Sequence, residues 1–195
     1  MSITPDLARH WLCEAESSGV PITVVCYASA LNACAKAADA EGAEACMVRM
    51  REHNVSPNLT CYNSLLNAFA RAALTSEAQA SLAELRKSAL KPDVITFNTL
   101  LSACSGDSRR SRDVLGDMEQ CSVEPTARTY IAMASSFERS GQWQEVEALL
   151  EEMTQRRIAP EKKTHALRIS AYANADPKRT EDAREAFLRL PAVDR

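Results

Sequence analysis

The sequence predicts an all-α fold, a right-handed α-solenoid of tandem antiparallel helix pairs, and three observations carry that expectation. A period of 35 residues runs through the chain, apolar columns at offsets of four and seven recur inside each period, and a proline stands near the end of each. Such periods mark arrays in which a helix pair buries its apolar face only by stacking on its neighbours. Composition agrees, because aromatics are only 5% of the 195 residues while Ala, Leu, Glu and Arg abound, which is a vocabulary of helices and not of strands.

The elements follow in order, with 1–195 expected to form a single solenoid. Residues 1–23 fit only the second helix of a repeat, with Ala8, Leu12 and Gly19 in the matching places. That helix, around Leu7 to Ser17 and carrying Trp11, lacks a mate, and an array end needs a cap. The expected cover is upstream repeats of a longer array, of which this chain is a fragment; a protein partner is the alternative. Complete repeats are expected at 24–58, 59–93, 94–126 and 127–161.

Each complete repeat has an aromatic at its fourth place, namely Tyr27, Tyr62, Phe97 and Tyr130. Leu31, Leu66, Leu101 and Ala134 follow four residues later, then Cys34, Phe69, Cys104 and Phe137 after three more, which puts all three columns on one side of a first helix. Met47, Leu82, Leu115 and Leu150 pair with Met50, Leu85, Met118 and Met153 on a second helix. Pro57, Pro92, Pro125 and Pro160 end the repeats, since proline pushes the residue before it out of helical geometry.

The 94–126 repeat is two residues short, and the deficit is expected in the turn around Gly106-Asp107. Residues 162–195 form a divergent, partial C-terminal repeat with extra residues near Asp176-Pro177 and a resumed pattern at Ala183, Phe187 and Leu190. Trp143 is expected to cover the turn before its helix.

Several function classes fall away. No apolar run approaches the roughly 20 residues of a membrane-spanning helix, so no membrane insertion is expected. The seven cysteines contain no C-x-x-C pair and the three histidines lie apart from them, so no metal site is expected, and free thiols are favoured over a disulfide framework. No nucleophile, base and acid recur at catalytic spacing and no glycine-rich phosphate loop is present, so the chain is expected to have no cofactor, no catalytic residues and no enzymatic activity. The first residues, MSITPDLARHW, show neither a secretory signal nor a transit-peptide composition.

The repeat openings VVCYASAL, LTCYNSLL, VITFNTLL and ARTYIAMA, with the closes VSPN, LKPD, VEPT and IAPE, resemble the pentatricopeptide repeat family. The Trp and Leu-Gly signals of the tetratricopeptide repeat are absent from all four. The resemblance implies that first helices line a concave surface along which single-stranded RNA runs, one base per repeat. It implies that the fifth and last residues of a repeat contact the base edge, giving Ala28 with Asn58, Asn63 with Asp93, and Asn98 with Thr126; Ile131 with Glu161 departs from the family pattern. Asn63 with Asp93 is the pair most like the family, which prefers uracil there. The second residues, Val25, Thr60 and Ile95, would pack on base faces, a series that Arg128 and Lys163 break. A mitochondrial or chloroplast location and a role in transcript processing, stability or translation are also implied.

Charge is partitioned in keeping with this. The five first-helix stretches hold Lys36, Arg71, Arg128, Arg139, Lys162, Lys163 and Arg168 against Glu138 alone, a net +6 within a chain of net −3. Lys36, Arg71 and Arg139 share the thirteenth place, either as phosphate contacts or as cations favoured at helix C-termini. The competing function is a scaffold subunit of a larger organellar complex, gripping protein with the same solenoid.

Overall fold

The computed structural model describes residues 10–12, 14–15, 17–19, 21–104 and 107–188. Leu7, Ala8, Gly106 and Leu190 therefore lie outside the described residues. Ten helices with bounds are present among the described residues, without strands: α1 (Val24–Ala37), α2 (Ala40–Glu52), α3 (Leu59–Arg71), α4 (Thr75–Lys87), α5 (Val94–Ala103), α6 (Ser108–Gln120), α7 (Ala127–Arg139), α8 (Trp143–Gln155), α9 (Lys162–Asn174) and α10 (Thr180–Leu188). The fold class is the all-α tandem of helix pairs that the periodicity predicts. The chain divides into two compact bodies, Met1–Ala103 and Cys104–Arg195.

Helix starts are written in the sequence. Asn58 and Asp93 each follow a proline and use a side-chain oxygen to accept the N–H three residues on, Cys61 at 3.0 Å and Thr96 at 2.8 Å. Asp39 and Asp107 do the same for Gly42 and Arg110 at the starts of α2 and α6. Each such cap contributes about 1 kcal/mol. The second helices end on left-handed residues, Asn54, Ala89, Ser122 and Arg157, with φ between 56 and 60°. Beyond three of them the N–H groups of Val55, Val123 and Ile158 return to the carbonyls of Met50, Met118 and Met153 at 2.8 to 2.9 Å.

In the N-terminal body α3 packs against α1, α2, α4 and α5, so first helices stand side by side and second helices back them. In the C-terminal body α7 and α9 pack together in the same way, with α8 against both and α10 against α9. The predicted apolar columns fill these cores: Tyr27, Phe69, Phe97, Tyr130, Phe137 and Met153 are buried. Each large apolar side chain so buried contributes roughly 1.5–3 kcal/mol. The tyrosines keep their rings in the core and reach a second helix or its end with the hydroxyl, Tyr27 to His53 Nδ1 at 2.7 Å and Tyr130 to Glu152 Oε1 at 3.0 Å. Cys34 and Cys104, which replace phenylalanine in their column, are buried, and burial pushes the Cys104 thiol up to about 11.

Two expectations need correction. The two-residue deficit of 94–126 is not confined to the turn: α5 stops at Ala103 after 10 residues, where α3, α7 and α9 run for 13. The helix ends one residue before its third column, yet Cys104 is buried just past that end, and α6 seats Leu115 and Met118 in the core. Trp143 does not cover the preceding turn; it opens α8 and lies against Tyr172 of α9, ring centroids 5.7 Å apart, with the Arg179 guanidinium 4.0 Å above its ring.

Candidate nucleic-acid interface

The first helices α3 and α5 leave an open cleft of about 410 Å³ between them, lined by Thr60, Asn63, Asn67, Asp93, Ile95 and Thr99 among others. Four residues singled out from the sequence meet there. Asn63 lies on the second turn of α3, and Asp93, 30 positions later, lies immediately before α5, so the chain between them folds back to bring their side chains within 3.4 Å, Nδ2 to Oδ1. Thr60 and Ile95 stand at the same place in successive helices and border the cleft. Ile95 is 62% exposed and Val25, its counterpart on α1, is 68% exposed. An apolar side chain in water at the start of an otherwise well-buried helix is a surface suited to stack against a flat apolar partner.

The remaining candidates are distributed unevenly. Ala28 is half-buried and has no polar side-chain atom, while Asn58 spends its oxygen on capping α3 and is exposed. Asn98 is half-buried on α5, and its Oδ1 has no hydrogen-bond partner among the described residues. Thr126 starts α7, where its N–H donates to Thr129 Oγ1 at 3.0 Å. Ile131 is 8% exposed and belongs to the core of the C-terminal body, and Glu161 makes no side-chain cap bond to α9. Lys36, Arg71 and Arg139 are exposed, and Arg139 turns its Nε back to Ser135 O at 3.2 Å.

The charge count by helix overstates the free positive charge. Arg168 of α9 pairs with Glu147 of α8 at 2.6 Å, so one of the seven cations is neutralised by a second-helix acid. Sequence reasoning also missed Thr96, Ser64, Asn67 and Thr99. Thr96 was signalled by the Asp-x-x-Thr pattern across the start of α5, a capping box in which the Asp93 N–H donates to Thr96 Oγ1 at 3.2 Å. Asn67 and Thr99 sit one helical turn beyond Asn63 and Ile95, which places them on the same face.

Three family models match the chain: the pentatricopeptide repeat domain at residues 12–72, the PPR repeat family at 57–106 and the PPR repeat at 128–158, together more than half of it. The chain belongs to the pentatricopeptide repeat family. None of the curated proteins matches this pentatricopeptide repeat chain in sequence. Among solved structures it is similar to the pentatricopeptide repeat protein PPR10 in complex with an 18-nt psaJ RNA element, at 26% identity and a TM-score of 0.78 over 90% of this chain. PPR10 from maize matches at the same identity and TM-score over 95% of this chain. The chain spans only 26% of the length of those PPR10 chains. The PPR domain of Arabidopsis thaliana protein-only RNase P 1 in complex with tRNA matches at 19% identity and a TM-score of 0.66, over 85% of this chain and 87% of that one, a likeness of fold.

Proposed function

We propose that this pentatricopeptide repeat chain binds single-stranded RNA along the open side of its first helices, with Asn63 and Asp93 reading one base edge between Thr60 and Ile95. The observation that carries the reading is the cleft between α3 and α5, where an amide, a carboxylate and an exposed apolar side chain converge on a space open to solvent. The RNA complex of PPR10 supports it. Ala28 with Asn58, and Asn98 and Thr126 each within its own body, contribute weaker contacts. Lys36, Arg71 and Arg139 hold phosphates, and Val25 packs on a base face. In the cell such a chain acts in processing, stability or translation of organellar transcripts, in a mitochondrion or chloroplast.

With each stacked base contributing about 1–3 kcal/mol, so few reading places give weak, salt-sensitive affinity. The test is a fluorescence anisotropy titration at low salt with uridine-rich oligonucleotides, on the wild-type chain and on Asn63→Ala. Binding by the wild type, weakened in the variant, is expected. No binding to any single strand, or a protein partner that stays stoichiometric after nuclease treatment, sinks the RNA reading and points to the scaffold.

A further inference from the structure

We propose that Thr96 is a positioning residue that fixes which way round the Asn63 amide faces the cleft, and thereby decides uracil over cytosine. The proposal rests on the reading that this cleft takes an RNA base. Thr96 is fully buried in the first turn of α5 and is not among the residues that line the cleft, so a ligand does not reach it. Its hydroxyl stands 2.7 Å from Asn63 Oδ1 and 2.8 Å from Asp93 Oδ1, and it accepts the Asp93 N–H.

The proton count is what makes this arrangement directional. A carboxylate only accepts, so the Asn63 atom beside Asp93 is its nitrogen; the amide oxygen then faces the Thr96 hydroxyl, whose single proton it shares with Asp93 Oδ1. Turned over, the amide would set oxygen against the carboxylate and exchange the bond it accepts from the hydroxyl for one it donates to it. In the held orientation one N–H and one lone pair of Asn63 remain uncommitted among the described residues, in fixed positions toward the cleft. Uracil offers an N–H beside a carbonyl on its pairing edge, whereas cytosine offers a ring acceptor beside an amino group. An amide free to rotate serves both bases equally; a held one serves one of them.

The same place elsewhere in the chain shows what the device needs. Thr164 occupies in α9 the place of Thr96 in α5, but the residue standing where Asn63 stands is Ile131, and Thr164 Oγ1 is buried with no partner among the described residues. In α3 the place is taken by Cys61, buried, with Ala28 ahead of it.

The experiment measures the ratio of dissociation constants for oligocytidylate and oligouridylate of equal length on wild type, Thr96→Val, Thr96→Ser and Thr164→Val. Thr96→Val removes the hydroxyl's bonds to both Asn63 and Asp93, of which the neutral one to Asn63 bears on the ratio, so the ratio should fall roughly fivefold, while Thr96→Ser and Thr164→Val keep the wild-type ratio. Both oligonucleotides meet the same folded fraction, so a loss of helix capping alone weakens them equally and leaves the ratio unmoved; that outcome overturns the proposal. If Thr96→Val does not fold, Thr96→Cys replaces it, since α3 already carries a buried cysteine at this place and a thiol is a poor donor; the ratio should again fall, and an unchanged ratio overturns the proposal. A wild type that binds RNA without preferring uridine overturns this inference and leaves RNA binding standing. A wild type that binds no RNA overturns both.

Discussion

Glu161→Asp shortens one side chain by a methylene at constant charge, and the structure predicts that it stabilises the protein. Glu161 begins α9 with φ −85° and ψ 163°, the extended geometry of an N-cap, yet its carboxylate makes no cap bond. The Thr164 N–H falls back on the Glu161 backbone carbonyl at 2.9 Å, and the Thr164 hydroxyl is buried with no partner among the described residues. At the start of α5 an aspartate in the same place accepts the corresponding N–H at 2.8 Å and lies 2.8 Å from the corresponding hydroxyl. Glu161 already favours the helix dipole, so the substitution changes hydrogen bonding alone. A restored cap contributes about 1 kcal/mol. For a chain of this size that raises the melting temperature by roughly 2–4 °C. Circular dichroism melts of wild type, Glu161→Asp and Glu161→Gln provide the check, and Glu161→Gln should not stabilise. Adding Thr164→Val reverses sign with background: harmless in the wild type, where it removes an orphaned hydroxyl, and costly after Glu161→Asp, where that hydroxyl has gained a partner. An Asp variant no more stable than wild type, or a Gln variant equally stable, refutes the capping argument.

Neutralising Lys36 or Arg71 should lower the slope of log affinity against log salt by about 0.7 for each phosphate the chain no longer neutralises, read from anisotropy titrations across salt. Gly141→Ala should destabilise by about 1–3 kcal/mol in urea denaturation, because the residue has φ +66° and a Cβ there would stand 2.8 Å from Asn174 O. Cys26 should be alkylated well before Cys104 at neutral pH, as mass spectrometry of partly labelled protein would show. It is exposed, and the Thr23 hydroxyl 3.5 Å from its sulfur holds its thiol below the ordinary range, whereas burial pushes Cys104 up to about 11.

The fold was legible because burial in a helix repeats every three or four residues, and Tyr27, Leu31 and Cys34 display that repeat without any tertiary knowledge. Helix starts were equally plain wherever a proline precedes a capping side chain. What lay beyond the sequence depends on which face a residue occupies. Arg168 looks like any first-helix cation until Glu147 is found beside it, and Trp143 looks like a turn cover until α9 supplies Tyr172. The end of α5 was misjudged because register fixes which residues are buried, Cys104 among them, and does not require that the last of them be helical. The approach of Asn63 to Asp93, 30 positions apart, follows from no local rule; family resemblance alone implies it, and the part of Thr96 in it depends on the tertiary contact with Asn63.

Asn58, Asp93, Thr126 and Glu161 each close one repeat and stand at the N-cap of the next first helix, so under the proposed reading one of the two reading positions in each repeat is also a helix start. The consequence concerns how such a chain can change its target over generations. The residues that begin helices well are few, chiefly Asn, Asp, Ser and Thr, and this shortens the alphabet available at one of the two reading positions. A switch of base preference is inherited together with a change in the stability of the neighbouring helix pair. At Glu161 the side-chain cap is missing, and the fifth-place residue of the same repeat, Ile131, lies in the core without a polar atom to pair with it.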